Sequence, residues 1–216
     1  METGEPESPG QDVRRSDCCL VDGSVYPRMS GAEAAAYSAL LGNSDVVLEY
    51  GSGGSTLLAV ASPAKKIFSV ESDSNWIDKL RRDGAIGAAE RSGRLRLFHA
   101  DIGPVGEWGM PDGPIGLNWR SYPLGIWERI GSDVPDLCLV DGRFRVACAL
   151  SACVNEGFAR RTIAIHDFWN RDYYHSLFPF LDLKARIDTF GIFAPKPGVA
   201  RSVVIDLLNE SLSDAR

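Results

Sequence analysis

Short apolar runs alternate with amphipathic stretches along most of the chain. Val46-Val47-Leu48, Ile67-Phe68-Ser69-Val70, Leu137-Cys138-Leu139-Val140 and Ile163-Ala164-Ile165 are nearly continuous apolar runs. Each leads into an acid or an imidazole: Glu49, Glu71, Asp141, and His166-Asp167. Continuous runs of this length suit strands buried on both faces, as in a parallel sheet. Residues 94–99 alternate well enough for one more strand.

Helical stretches lie between these runs. Ser30 with Glu33 reads as a capping box opening a helix over 31–41, which Gly42-Asn43 ends. The run after Gly54 is a helix stopped at Ser62-Pro63. Asp73 or Ser74 caps a short helix with Trp76, Ile77 and Leu80 on one face, broken at Asp83-Gly84. Further helices are expected around 124–130, 144–154 and 171–181. Two last strands, near 185–189 and 201–207, are expected as an antiparallel hairpin around a proline-rich connection over 191–198. The pattern predicts an α/β, Rossmann-like fold: a mostly parallel seven-stranded sheet, antiparallel near one edge, with helices on both faces.

Residues 103–122 break the pattern, being rich in Gly, Pro and Trp with little periodicity. They follow the third strand, near the carboxyl ends where open α/β sheets bind ligands. The stretch reads as a lid or substrate loop, or as a surface loop packing Trp108 and Trp119 on the core.

Composition sets the frame. A chain of 216 residues, 44% hydrophobic and 24% charged, suits one α/β domain with a substantial core. The organisation expected is a flexible segment over 1–16, a single domain over 17–208 and a tail over 209–216. A net charge of −6 argues against a nucleic-acid surface. No apolar run reaches the ~18 residues of a membrane span. Met1 to Gly10 lacks the basic start and apolar stretch of a signal peptide, so a cytoplasmic protein is expected. The five cysteines form no CxxC pair. Cys138, Cys148 and Cys153 read as buried thiols in a reducing compartment, and Cys18 and Cys19 receive no role.

The candidate chemistry gathers at the strand ends. Glu49-Tyr50-Gly51-Ser52-Gly53-Gly54-Ser55-Thr56 joins a strand to a helix through a glycine turn. Such glycines let the backbone approach a ligand, and the helix start directs N–H groups at it. The acid before the first glycine would repel a pyrophosphate and suits a ligand carrying positive charge. Glu71 suits the two hydroxyls of a ribose, or caps the next helix. Asp101 suits an adenine amino group, or is an ordinary turn residue before Gly103.

The run Glu49-Tyr50-Gly51-Ser52-Gly53-Gly54 resembles the first motif of the class I S-adenosylmethionine (SAM)-dependent methyltransferases, acid-x-Gly-x-Gly-x. Val70-Glu71, Ala100-Asp101, Val140-Asp141 and Ile165-His166-Asp167 resemble that family's later strand ends, in order. The resemblance spans roughly residues 30 to 207, a coarse alignment. It implies SAM as cofactor and S-adenosylhomocysteine (SAH) as product. It implies a cofactor site built from Glu49, Gly51, Ser52, Gly53, Ser55, Thr56, Glu71, Ser72, Asp101, Ile102 and Asp141. The methyl would pass to oxygen or nitrogen of a small molecule, a sugar or a phenol among the choices.

Asp141-Gly142-Arg143-Phe144-Arg145 with the later His166-Asp167 is similar to a branch often found near sugar and polysaccharide genes. It is also similar to the cation-dependent catechol-type O-methyltransferases, which hold a divalent metal with an Asp here and an Asp-Asn pair after the fifth strand. This chain has His166-Asp167-Phe168 there, and Asn170 three positions beyond Asp167. Asp141, His166 and Asp167 are the catalytic candidates, either ligating a divalent metal or forming a metal-free acid–base set. His166 can supply a base near neutral pH, or be a satisfied core group. Arg143, Arg145 and Arg171 are candidates to bind an anionic substrate, or lie on a solvated helix face. Two other functions stay open: an NAD(P)-dependent oxidoreductase, weakened by the missing third glycine, and a non-catalytic SAM-fold module. A homo-oligomer is left open.

Overall fold

A computed structural model describes residues 20–21, 24–158 and 161–216. The segment expected to be flexible over 1–16, and Cys18 and Cys19, lie outside these residues. Every strand read from an apolar run forms. They are β1 (Val46–Tyr50), β2 (Lys66–Glu71), β3 (Leu95–His99), β4 (Leu137–Val140) and β5 (Thr162–Ile165). All five pair in parallel in the order β3-β2-β1-β4-β5.

The closing strands differ from the expected ones. They are β6 (Leu181–Ile187) and β7 (Phe190–Pro195), and β7 pairs antiparallel with both β5 and β6. The sheet therefore reads 3-2-1-4-5-7-6, the mostly parallel seven-stranded arrangement that was expected. Residues 201–207 are not a strand but part of α7 (Arg201–Ser211). Their β-branched Val203, Val204 and Ile205 favour a strand locally. The residues buried are Val204, Leu208 and Ser211, spaced for one helical face. Of residues 209–216, expected as a tail, 209–211 belong to this helix. The chain then returns so that Ala215 and Arg216 carbonyls accept from Phe144 and Arg145 N–H groups. Nor is there an α-helix over 171–181. A 3₁₀ turn, Asp172–Leu177, leads into β6.

Strand alternation sorts side chains onto two cores. Val47, Ile67, Leu137, Leu139 and Ala164 face one. It is covered by α1 (Gly31–Leu41), α2 (Gly54–Ala61), α3 (Ser74–Leu80) and α4 (Gly84–Arg91). Leu48, Tyr50, Phe68, Val70, Cys138 and Val140 face the other, under α5 (Ser121–Ile130), α6 (Arg145–Val154) and α7. The capping box at Ser30 and Glu33 is present. Asp83, expected as a break, caps α4 by accepting from Ala85 and Ile86 N–H groups. Cys138 and Cys148 are buried, and burial pushes both thiols up. Among the described residues no helix is long and apolar enough to cross a membrane.

Candidate active site

Between β1 and β4 the strand order reverses direction, the switch point where open α/β sheets leave a crevice. A cleft of about 780 Å³ opens there. Its floor is the glycine turn after β1 against the Asp141-Gly142 turn after β4. The two turns touch: a Cβ on Gly51 would lie 2.6 Å from Gly142 Cα, and Gly51 has φ +93°. Gly53 meets nothing within 4 Å on its open side, and Gly51, Ser52, Gly53 and Ser55 line the cleft as expected.

Glu49 does not line it. Its side chain points under the turn, fully buried, and accepts from the hydroxyls of Ser55, Thr56 (2.6 Å) and Ser69 (2.7 Å). Burial pushes its pKa up to about 7, against the pull of these hydroxyls. Thr56 is likewise buried and accepts from Gly53 N–H at 2.8 Å. Both were expected to contact the cofactor, and both instead fix the shape of the turn. The reason is strand parity, which sends Glu49 to the α2 side of the sheet, opposite its neighbours Leu48 and Tyr50.

Glu71 lines the cleft at the end of β2. Oε1 accepts from Ser72 N–H (2.7 Å) and Asp73 N–H (3.0 Å), and Oε2 from Ser52 N–H (3.2 Å). Burial raises its pKa against these bonds. Ser72, an expected contact, is 2% exposed and bonds Glu71 and the Gly109 carbonyl instead. Asp101 is exposed and accepts from Gly103 N–H, outside the cleft. Ile102 borders a separate cavity of about 430 Å³ within the 103–119 loop. That loop is split in its role. Trp119 packs on the core at 8% exposure, whereas Trp108, Gly109 and Met110 form a wall of the cleft. Trp108 is held at φ +61°, with the Arg28 guanidinium 4.9 Å from its ring centre.

The catalytic candidates converge. Asp141 and His166 follow β4 and β5, and Nδ1 of His166 lies 2.9 Å from Oδ1 of Asp141. The other ring nitrogen, Nε2, is 3.5 Å from Oε2 of Glu33. Burial lowers the His166 pKa, but the Asp141 hydrogen bond and the Asp141 and Asp167 charges outweigh it, and the net shift is upward. The imidazole lies between two carboxylates, which favour its protonated form. Glu33 is itself fixed, accepting from Ser30 N–H and from both the N–H and hydroxyl of Thr189.

The arginines separate. Phe144, between Arg143 and Arg145, has φ +53°, a left-handed turn costing about 1–2 kcal/mol outside glycine. Arg145 runs beneath the site, 3% exposed. It donates to the carbonyls of Gly142 (3.0 Å), His166 (2.6 Å) and Asp141 (3.1 Å). It also sits 3.2 Å from Oδ1 of Asp141 and 3.6 Å from Oδ2 of Asp167. Although it lines the cleft, its donors are committed to protein, so it braces the two strand ends and does not offer a substrate contact. Arg171 pairs with Asp167 at 2.8 Å. Arg143 lines the cleft, and its buried Nε has no partner.

A divalent metal does not fit this donor set. The place between Asp141 and Asp167 is taken by the Arg145 guanidinium, and the His166 ring is held by two carboxylates. Among the described residues no three His, Cys, Asp or Glu side chains are grouped to hold an ion.

Several cleft residues carry no local signal in the sequence. Tyr26, Arg28 and Met29 come from the segment before α1, and Trp76 from α3. Trp76 Nε1 donates to Ser52 O at 2.8 Å. Gly54 lets the first segment reach the turn, since a Cβ there would meet Tyr26 and Pro27 backbone at 2.0 Å.

No family model and no curated protein matches the sequence. Solved structures do. A methyltransferase-like protein from Silicibacter pomeroyi is 32% identical, over 87% of this chain and 97% of its own, with TM-score 0.75. An O-methyltransferase from Bacillus cereus, in complex with SAH, is 14% identical over 78% of this chain and 82% of its own, with TM-score 0.51, a likeness of fold.

Proposed function

The chain belongs to the class I SAM-dependent methyltransferase family, and from that premise we propose that it transfers a methyl group to oxygen or nitrogen of a small molecule. SAM, when bound, supplies a methyl made electrophilic by its sulfonium. The observation that carries the reading is the single cleft shared by the glycine turn, Glu71 and the Asp141–His166 pair. The residues present fit the cofactor. Gly53 leaves open space beside the start of α2, whose first N–H groups lack helical partners. Glu71 Oε2 accepts one backbone bond and keeps a lone pair for a ribose hydroxyl.

Asp141 takes the acceptor's proton. Its Oδ1 is held by His166 and Arg145, while among the described residues Oδ2 has no hydrogen-bond partner, and the residue opens on the cleft. A hydroxyl losing electrons to a new methyl bond becomes acidic, so a carboxylate is a sufficient base at that stage. His166 and Arg145 orient the carboxylate and spread the charge. In this reading both are positioning residues, and Asp141 rather than His166 is the base.

Isothermal calorimetry with SAH tests the reading. Glu71→Ala is expected to weaken SAH about tenfold or more, the worth of a hydrogen bond to a charged group. Absence of SAH and SAM binding to the intact protein at millimolar ligand would remove the cofactor and the reaction with it.

A further inference from the structure

The charged groups around Asp141 and His166 pair with one another, and Arg143 stands outside the pairing. Glu33 faces His166, Asp141 faces His166 and Arg145, and Asp167 faces Arg145 and Arg171. Arg143 is the cation outside this set. Among the described residues its guanidinium has neither a hydrogen bond nor an ion pair, and its Nε is shut away from solvent. Burial lowers its pKa, and the nearby charge of Arg145 lowers it further. A half-buried guanidinium with no counter-ion is unfavourable unless something pairs with it.

The side chain is free, but its backbone is pinned. Arg143 N–H donates to Tyr122 Oη at 3.3 Å, and its carbonyl accepts from Cys148 Sγ at 3.4 Å. Tyr122 is 1% exposed in the core. The left-handed turn at Phe144 then keeps Arg143 and Arg145 apart. Arg143 thus presents an unengaged planar fork to the cleft, on the turn that also carries Asp141. Bidentate recognition of carboxylate or phosphate uses this geometry.

We infer that the acceptor carries an oxyanion, a carboxylate or phosphate group, and that Arg143 receives it beside Asp141. The inference rests on the methyl-transfer reading for the word acceptor, while the anion site stands on Arg143 alone. The anion supplies the missing counter-charge and places the rest of the molecule against the carboxylate that takes its proton. The paired cations, Arg145 and Arg171, add attraction without competing for the same bonds.

The probes are inorganic phosphate and acetate, titrated by calorimetry and thermal shift into protein with and without saturating SAH. One or both should bind the wild-type protein, alongside SAH. Arg143→Gln should lose that binding by tenfold or more and keep SAH affinity within about twofold. Arg143→Lys, which keeps charge but not the fork, should fall between. Without anion, Arg143→Gln should melt at or above the wild-type temperature, because an unpaired buried charge has gone. A purely structural arginine predicts a lower melting temperature instead, which would count against the proposal. Equal anion binding by wild type and Arg143→Gln, or none by either, overturns it. So does competition between phosphate and SAH with a tenfold loss of SAH affinity in Arg143→Gln, since Arg143 would then hold the cofactor's own carboxylate. Anion binding that needs Arg143 in a protein that ignores SAH would leave the site standing and reject the methyltransferase reading.

Discussion

His166 presents Nδ1 to Oδ1 of Asp141 at 2.9 Å while its Nε2 faces Glu33 at 3.5 Å. The two residues come from strand ends 25 positions apart in the chain, joined by the parallel pairing of β4 with β5. Asp141 keeps Oδ2 without a hydrogen-bond partner among the described residues, while both His166 nitrogens face carboxylates.

Asp141→Asn should therefore lower turnover by about a hundredfold or more, within the usual span for a positioned base. SAH affinity and melting temperature should change little. His166→Gln should lower turnover less, by roughly tenfold, and shift the pH dependence of turnover, because the charge beside the base has gone. The check is the pH profile of methyl transfer in each variant, using any acceptor that a product screen identifies. If His166→Gln abolishes turnover while Asp141→Asn spares it, the roles are the reverse of those assigned.

Stability should fall as pH rises from about 4.5 through neutrality. Burial raises Glu49 from 4.5 to about 7 in the fold. Between these values the native state holds a proton that the unfolded chain has released, so stability is full below the lower value and declines as pH rises through 7. The loss from Glu49 amounts to roughly 3 kcal/mol at 1.36 kcal/mol per unit. His166 acts with the same sign, since its folded pKa is raised above 6.5, and its ion pairs weaken as pH passes that higher value. Thermal melts from pH 5 to 9 should show the midpoint falling by several degrees. Glu49→Gln should flatten much of the slope. A wild-type midpoint that is level or rises over this range contradicts the assignment.

The parallel half of the fold is legible because buried strands there are unbroken apolar runs, each ended by a polar group. The last third is not. Val203, Val204 and Ile205 look like a strand over seven residues, and only the burial of Leu208 and Ser211 shows the helical period. Gly191 and Pro195 look like a connection, yet they lie in β7, which pairs on one side with β5 and on the other with β6. In the site, the order of strand ends brings Asp141, His166 and Glu71 to one cleft, as the motifs imply. Glu49 misleads because the motif names the acid without saying that parity buries it. Arg143 and Arg145 look equivalent until the turn at Phe144 sends one to the cleft and the other below it. Glu33 carries the signature of a cap, and its second partner, His166, can be seen only in three dimensions.

The loop around Trp108 should control access to Glu71. Gly109 has φ +66°, and a Cβ on it would sit 2.4 Å from Ser72 Oγ and 3.1 Å from Glu71 Oε1. Ser72 Oγ also donates to the Gly109 carbonyl at 3.0 Å. Gly109→Ala must lift the loop from the end of β2. SAH should then bind several-fold more weakly and dissociate faster. Stopped-flow dissociation of SAH reads this directly. Unchanged dissociation would mean that the loop does not cover the cofactor.

Arg145 offers the sharpest test of how the two strand ends are held. Its guanidinium lies between Asp141 and Asp167, with 4% of the side chain exposed. Arg145→Ala leaves both carboxylates facing each other across a buried gap and frees three carbonyls, those of Gly142, Asp141 and His166. Removing one partner of a buried charge set typically costs about 3–5 kcal/mol, and a loss of that size is expected in denaturant titrations. The vacated place should then attract a cation. Millimolar Mg²⁺ should raise the melting temperature of Arg145→Ala and leave the wild-type protein unmoved, and a chelator should leave wild-type methyl transfer at full rate. Mg²⁺ stabilising the wild-type protein as strongly as the variant would show that the guanidinium does not fill the place between the carboxylates.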